Sequence, residues 1–175
     1  ADYVSVKNVS LTGNATVTSA VMTEVEFEDA KITGDLIVDN QVVGSTASII
    51  NKFANDGKAD PKIKLKNSRA GKVHVKRNDI SIESDVVITE ITVAATVTLI
   101  SLDGTVTKMT VESSTKLEVK GNANIGQLLL TTAAELALKI KGIVTTLTVN
   151  NSNAQITLDA GLEITELSIP AGSTV

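Results

Sequence analysis

Residues 104–149, GTVTKMTVESSTKLEVKGNANIGQLLLTTAAELALKIKGIVTTLTV, decide the fold. Short hydrophobic triplets recur in this stretch at nearly constant spacing. Met109-Thr110-Val111, Leu128-Leu129-Leu130 and Leu147-Thr148-Val149 form one set, which extends back to Ile91-Thr92-Val93 and forward to Leu167-Ser168-Ile169. A second set comprises Val97-Thr98-Leu99, Leu117-Glu118-Val119, Leu136-Ala137-Leu138 and Ile156-Thr157-Leu158. A third comprises Val106, Ile125, Val144 and Ile164. Side chains alternate along a strand, so each triplet directs its outer two residues to one face. Three such strands every twenty residues or so bury those residues only if each lies over its copy in the next repeat. That is the geometry of a parallel β-solenoid, in which each coil rises about 4.8 Å.

The N-terminal half repeats in the same way. Placing residues 4–21 under 25–43 sets Val4 against Val25, Val6 against Phe27, Leu11 against Ile32, Gly13 against Gly34, Val17 against Val38 and Val21 against Val42, all at one offset. The register is interrupted once, by GSTASIINKFANDGKADP at 44–61, an inserted loop in which ASIINKFAND has the composition of a helical turn or two. Gly13, Gly34, Gly104, Gly121, Gly142 and Gly161 fall where corners are expected. The expected architecture is a single domain over residues 1–175: an all-β, right-handed parallel β-solenoid of about eight coils of 18–21 residues, with three strands per coil.

Composition narrows the function classes. The net charge is −4 and the only aromatic residues are Tyr3, Phe27 and Phe53, which argues against nucleic-acid binding through a basic, ring-lined face. There is no cysteine, hence no disulfide framework and no thiolate metal site. No apolar run approaches the roughly 18–20 residues of a membrane span. The chain opens in strand-like alternation at Ala1, so any signal peptide is expected to have been removed or never to have been part of this sequence.

KITGDLIVDNQVV (31–43) and KIKLKNSRAGKVHVKRND (62–79), followed by the Ile-Thr-Val and Leu-Thr-Val coils, resemble the β-helical repeat regions of secreted surface proteins of Gram-positive bacteria, which often adjoin S-layer homology modules. Gly34-Asp35-Leu36-Ile37-Val38 and Lys66-Asn67-Ser68 are the most specific pieces, and the similarity spans most of the chain. The resemblance implies an extracellular, wall-associated structural module, although no S-layer homology module lies within these residues.

The most visible charge feature is basic. Lys58, Lys62, Lys64, Lys66, Arg69, Lys72, Lys76 and Arg77 hold half of the chain's sixteen Lys and Arg residues. One reading is a surface for an anionic wall polymer or acidic glycan, attracted by field. The repeat alignment supplies another: Lys64 falls over Glu26, Lys66 over Glu28 and Lys7 under Glu28, a ladder of opposite charges between coils.

Glu26 and Glu28 share a strand face about 7 Å apart, near the separation of a glycosidase carboxylate pair, but their expected outward, lysine-paired setting lacks a cleft that would drive their pKa values apart. His74 is the only histidine, expected to point outward between Val73 and Val75 with no second ligand at metal spacing. Asn55-Asp56-Gly57 with Asp60 is the one short oxygen-rich loop, and it reads as a turn. Thr92, Thr110, Thr148 and Ser168 form an outward column broken by Leu129, with Thr98, Glu118, Ala137 and Thr157 beside it, too irregular for an ice-binding face.

No catalytic residue, cofactor or metal is indicated. The leading expectation is a non-catalytic spacer or lattice element, whose partner is anionic wall polymer or a further copy of itself stacked end to end, because coil patterns run from Val4 to Ile169 without a polar capping helix. An adhesin or polysaccharide-binding module is the alternative, and a polysaccharide lyase or hydrolase rests on fold analogy alone.

Overall fold

A computed structural model describes residues 3–18, 24–39, 62–112, 116–131, 135–152 and 154–170. Among them the chain is all-β, with no helix. The inserted loop 44–61, with its helix-like ASIINKFAND, its Asn55-Asp56-Gly57 turn and Lys58, lies outside the described residues, as does Val42.

Fifteen strands follow in order: β1 (Tyr3–Lys7), β2 (Ser10–Leu11), β3 (Ala15–Thr18), β4 (Glu24–Glu28), β5 (Lys31–Ile32), β6 (Leu36–Asp39), β7 (Lys62–Lys66), β8 (Val73–Val75), β9 (Ile80–Ser84), β10 (Ile88–Val93), β11 (Leu99–Val111), β12 (Leu117–Leu130), β13 (Glu135–Val149), β14 (Gln155–Leu158) and β15 (Leu162–Ser168). Every pairing is parallel. The first ladder runs β1-β4-β7-β9-β11, a short middle ladder pairs β2 with β5, and a third runs β3-β6-β8-β10-β11. From β11 onward single long strands turn the corner and serve both outer ladders, which is why the two join through β11.

The repeats read from sequence are the observed registers. Val4 pairs with Val25, Val6 with Phe27, Leu11 with Ile32 and Val17 with Val38. Ile91, Met109, Leu128, Leu147 and Leu167 form one column, and Val106, Ile125, Val144 and Ile164 another. The inward residues make a continuous apolar interior from Val25 to Val149, aliphatic but for Phe27 and Met109, in which Leu36, Ile91, Leu102, Met109 and Leu128 are fully buried. Burial of this interior is what holds flat, ring-poor strands together.

The third ladder makes eight passes, through β3, β6, β8, β10, β11, β12, β13 and β15, so the coils number about eight, as expected, and the chain winds about seven turns from the first to the last. Two details differ from the sequence reading. Val97-Thr98-Leu99 does not lie over Leu117-Glu118-Val119: Leu99 pairs with Glu118 and Ile100 with Val119. The cause is local, since the Asn78 Oδ1 accepts the N–H groups of both Thr98 and Leu99 at 2.8 Å and delays strand entry by one residue. Of the six corner glycines, Gly13, Gly104, Gly121 and Gly142 have positive φ, whereas Gly34 and Gly161 do not. At Gly34 the constraint is contact, because a Cβ there would lie 2.3 Å from the Asn14 Oδ1 of the coil below.

The coils keep their perimeter while redistributing it. Val4, Val25, Ile63, Ile82 and Leu102 stack in the first ladder, and Ala15, Leu36, Val73, Ile91 and Met109 in the third. The arc between these columns shortens along the axis, spanning eleven residues from Val4 to Ala15 and from Val25 to Leu36, ten from Ile63 to Val73, nine from Ile82 to Ile91 and seven from Leu102 to Met109. The return arc lengthens in compensation, from nine residues between Val73 and Ile82 to eleven between Ile91 and Leu102. The middle ladder therefore ends in the third coil, where an isolated bridge joins Lys31 to Arg69.

Candidate functional site

The described part of the basic segment, residues 62–77, lies on the third coil, where the middle ladder ends. In the first ladder the strand registers are the expected ones, with Lys64 opposite Glu26 and Lys66 opposite Glu28. The ion pairs, however, are mostly diagonal. Lys64 Nζ meets Glu24 at 3.0 Å, Lys66 Nζ meets Glu26 at 2.9 Å and Lys62 Nζ meets Glu83 at 3.4 Å, whereas Lys7 bonds Glu28 directly across. Long lysine stems reach a diagonal neighbour as readily as an opposite one, so register alone does not choose the partner. Lys72 pairs with Glu90 at 3.1 Å, and the ladder continues with Lys116–Glu135 and Lys139–Glu118 farther along.

Glu26 departs from the solvated setting expected of it. It is only 5% exposed, covered by its neighbours, and its carboxylate receives the Lys66 ammonium and the Tyr3 hydroxyl. The Lys66 bond holds the Glu26 carboxyl below the ordinary carboxylate value. Reciprocally, Glu26 raises the Lys66 ammonium, Glu24 that of Lys64, Glu28 that of Lys7 and Glu118 that of Lys139. Glu26 and Glu28 thus each belong to a lysine of a neighbouring coil, and no cleft separates them as acid and base.

His74 is not simply solvated. Its Nε2 lies 3.0 Å from the Asp35 Oδ2, both side chains are about one-third exposed, and the Asp35 Oδ1 accepts the Lys72 N–H at 3.0 Å. Asp35 is opposite Lys72 and diagonal to His74, the same relation as Lys64 has to Glu24 and Lys66 to Glu26. Thr92 adjoins His74 in the outward column, followed by Thr110, Leu129, Thr148 and Ser168. The parallel row reads Leu99, Glu118, Ala137 and Thr157, with Leu99 in the place expected for Thr98. Among the described residues no group of three His, Cys, Asp or Glu side chains is placed to hold a metal ion.

A set of corner residues escaped the sequence reading. Asn8, Asp29 and Asn67 follow β1, β4 and β7 and all adopt left-handed φ of 45–52°. Asn and Asp tolerate that region better than other non-glycine residues. Asn67 Nδ2 donates to Asp29 Oδ1 at 2.6 Å, and Asn67 N–H donates to Asp85 Oδ1 at 2.7 Å. Ser68, 1% exposed, accepts the Ala30 N–H at 3.0 Å and donates to the Lys66 carbonyl at 2.8 Å. Elsewhere Asn14, Asp103 and Asn124 accept N–H groups of Asp35, Asn122 and Ile143 in the next coil. These bonds satisfy backbone donors where the ladders are interrupted. The signal available in sequence was Asn or Asp immediately after each of the first three strands of the first ladder, β1, β4 and β7.

The remaining members of the basic cluster behave differently. Arg77 is half-buried, and that burial lowers its guanidinium pKa. Lys76 is exposed at the end of β8. Arg69 is exposed at the end of the middle ladder, between an open groove of about 580 Å³ shared with Lys31, Asp29 and Asn67 and a second of about 480 Å³ shared with Asp85 and Val87. Comparison with protein-family models, curated proteins and solved structures finds no significant match.

Proposed function

We propose that this chain is a non-catalytic structural module of a bacterial cell-surface protein, serving as a rigid spacer or lattice element. The observation that carries the reading is the parallel stack: inward columns run through every described coil, and Lys7, Lys62, Lys64, Lys66 and Lys72 are each tied to a glutamate of the coil above or below. Each coil contacts only its neighbours, so bending the rod requires breaking ladder bonds and exposing aliphatic surface together. Cell-surface location is supported by the resemblance of residues 31–43 and 62–79 to surface-protein repeats.

Spacer and lattice element are distinguished by whether copies of the chain assemble with one another. Sedimentation and electron microscopy of the purified chain at high concentration test this. The spacer form gives discrete particles, whereas filaments or sheets identify the lattice form. Release of unsaturated sugar from a pectin-like substrate overturns both.

A further inference from the structure

One cation pair, Arg69 of the basic segment and Lys31 of the coil below, has no place in the ion-pair ladder. Lys31 and Arg69 stand opposite one another on adjacent coils, bridged by Arg69 N–H to the Ala30 carbonyl at 3.0 Å and Ile32 N–H to the Arg69 carbonyl at 2.9 Å. Both are exposed, and among the described residues neither side chain has an ion-pair partner. Neighbouring strands lie about 4.8 Å apart, and like charges directly opposite are destabilising. By contrast Lys62, Lys64, Lys66 and Lys72 each meet a glutamate. Asp29, the one carboxylate lining the first groove, is engaged by the Asn67 amide.

The site exists because the middle ladder stops at Arg69. Beyond it the next coil takes a shorter path through Asp85-Val86-Val87, leaving Val87 59% exposed and opening the second groove on the other side of Arg69. The two grooves meet at this residue, and the first, at about 580 Å³, is in the range that accepts a sugar unit or two. Two open grooves that share Arg69 and Ala70, beside a cation pair, suit a chain ligand with spaced anionic groups better than an enclosed small ion.

The geometry points to an acidic-polysaccharide subsite, in which Lys31 and Arg69 clamp one uronate carboxylate while the sugar chain passes from the first groove into the second. Arg69 supplies a two-pronged fork for the carboxylate and Lys31 a point charge, while Ala70 and Val87 offer apolar surface to the C–H face of a ring. This subsite does not depend on the spacer reading, since a spacer with or without it has the same core.

The test is calorimetric or NMR titration of the whole chain with a short oligogalacturonate, using Lys31→Ala, Arg69→Ala and, as control, Lys72→Ala. Binding that weakens with salt, that falls about tenfold in each of the first two variants and that stays within about twofold in the control supports the subsite. Retained or raised thermal stability of the first two variants also supports it, because removing either cation relieves repulsion. Four results overturn it: no binding, equal losses in all three variants, equally tight binding of polyglutamate, or a marked loss of stability in Lys31→Ala and Arg69→Ala.

Discussion

Gly121→Ala tests the closeness of the coils most sharply when set against Gly13→Ala. Both glycines have left-handed φ, +113° and +92°, so alanine pays a backbone strain of about 1–3 kcal/mol at either position. Their surroundings differ. A Cβ on Gly13 meets nothing within 4 Å, whereas one on Gly121 lies 2.3 Å from the Leu102 carbonyl oxygen and 3.0 Å from its carbon, both backbone atoms of the coil below. Ordinary contact is 3.4 Å or more, so the coils must part locally by about 1 Å. That stretches ladder hydrogen bonds of about 2.9 Å well beyond their useful range, and each bond lost costs about 0.5–1.5 kcal/mol. With the strain, Gly121→Ala is expected to cost about 4 kcal/mol, two or more above Gly13→Ala. Urea unfolding followed by circular dichroism measures the difference, and nearest-neighbour coupling also predicts that the Gly121 variant broadens the transition or splits it at coils five and six. Equal costs for the two substitutions would refute the close stacking inferred at that corner.

Leu128→Ala, in the centre of a fully buried column, is expected to lower unfolding free energy by about 2–5 kcal/mol, measured in the same urea series. Ser68→Ala leaves the buried Ala30 N–H without its acceptor and is expected to cost about 1–3 kcal/mol; a neutral result argues against Ser68 as a coil-to-coil bridge. Stability should fall at both pH extremes, as a melting-temperature profile will show. Glu26 is held below its ordinary value of 4.5, so its contribution is complete above that pH and disappears as pH falls through the lowered folded value, a loss that Glu26→Gln should abolish. Lys7, Lys64, Lys66 and Lys139 are held above 10.5, so their contribution is complete below 10.5 and disappears as pH rises through the raised folded values.

The inward columns were legible in sequence because each obeys one spacing over several coils, so Val4, Val25 and Ile63, or Met109, Leu128 and Leu147, could be placed without knowing the corners. The slip at Val97 was not legible. Val97, Leu99 and Ile100 are all apolar, and the choice among them is made by Asn78, twenty residues earlier, through its bonds to Thr98 and Leu99. Diagonal partners were hidden for a similar reason: alignment identifies the residue opposite, whereas Lys64 reaches Glu24 and His74 reaches Asp35 two positions away. Sequence alone could not separate the basic residues tied to glutamate, such as Lys64 and Lys66, from Arg69, nor bring Lys31 opposite it. That separation depends on where the middle ladder stops, a consequence of arc lengths that shift gradually while the overall period stays nearly fixed.

The central claim is a single stiff stack in fixed register, and its most direct test is a spin-label distance along one outward column. The chain has no cysteine, so Thr16→Cys and Ser168→Cys place labels only where they are wanted. Thr16 and Ser168 share a column through Ile37, His74, Thr92, Thr110, Leu129 and Thr148, seven steps in all. At about 4.8 Å per step the backbone separation is about 34 Å. Pulsed electron paramagnetic resonance should give one narrow distribution near that distance, allowing for the label arms. A broad distribution, or one centred far from it, would contradict the rigid parallel solenoid on which both the spacer role and the groove at Arg69 depend.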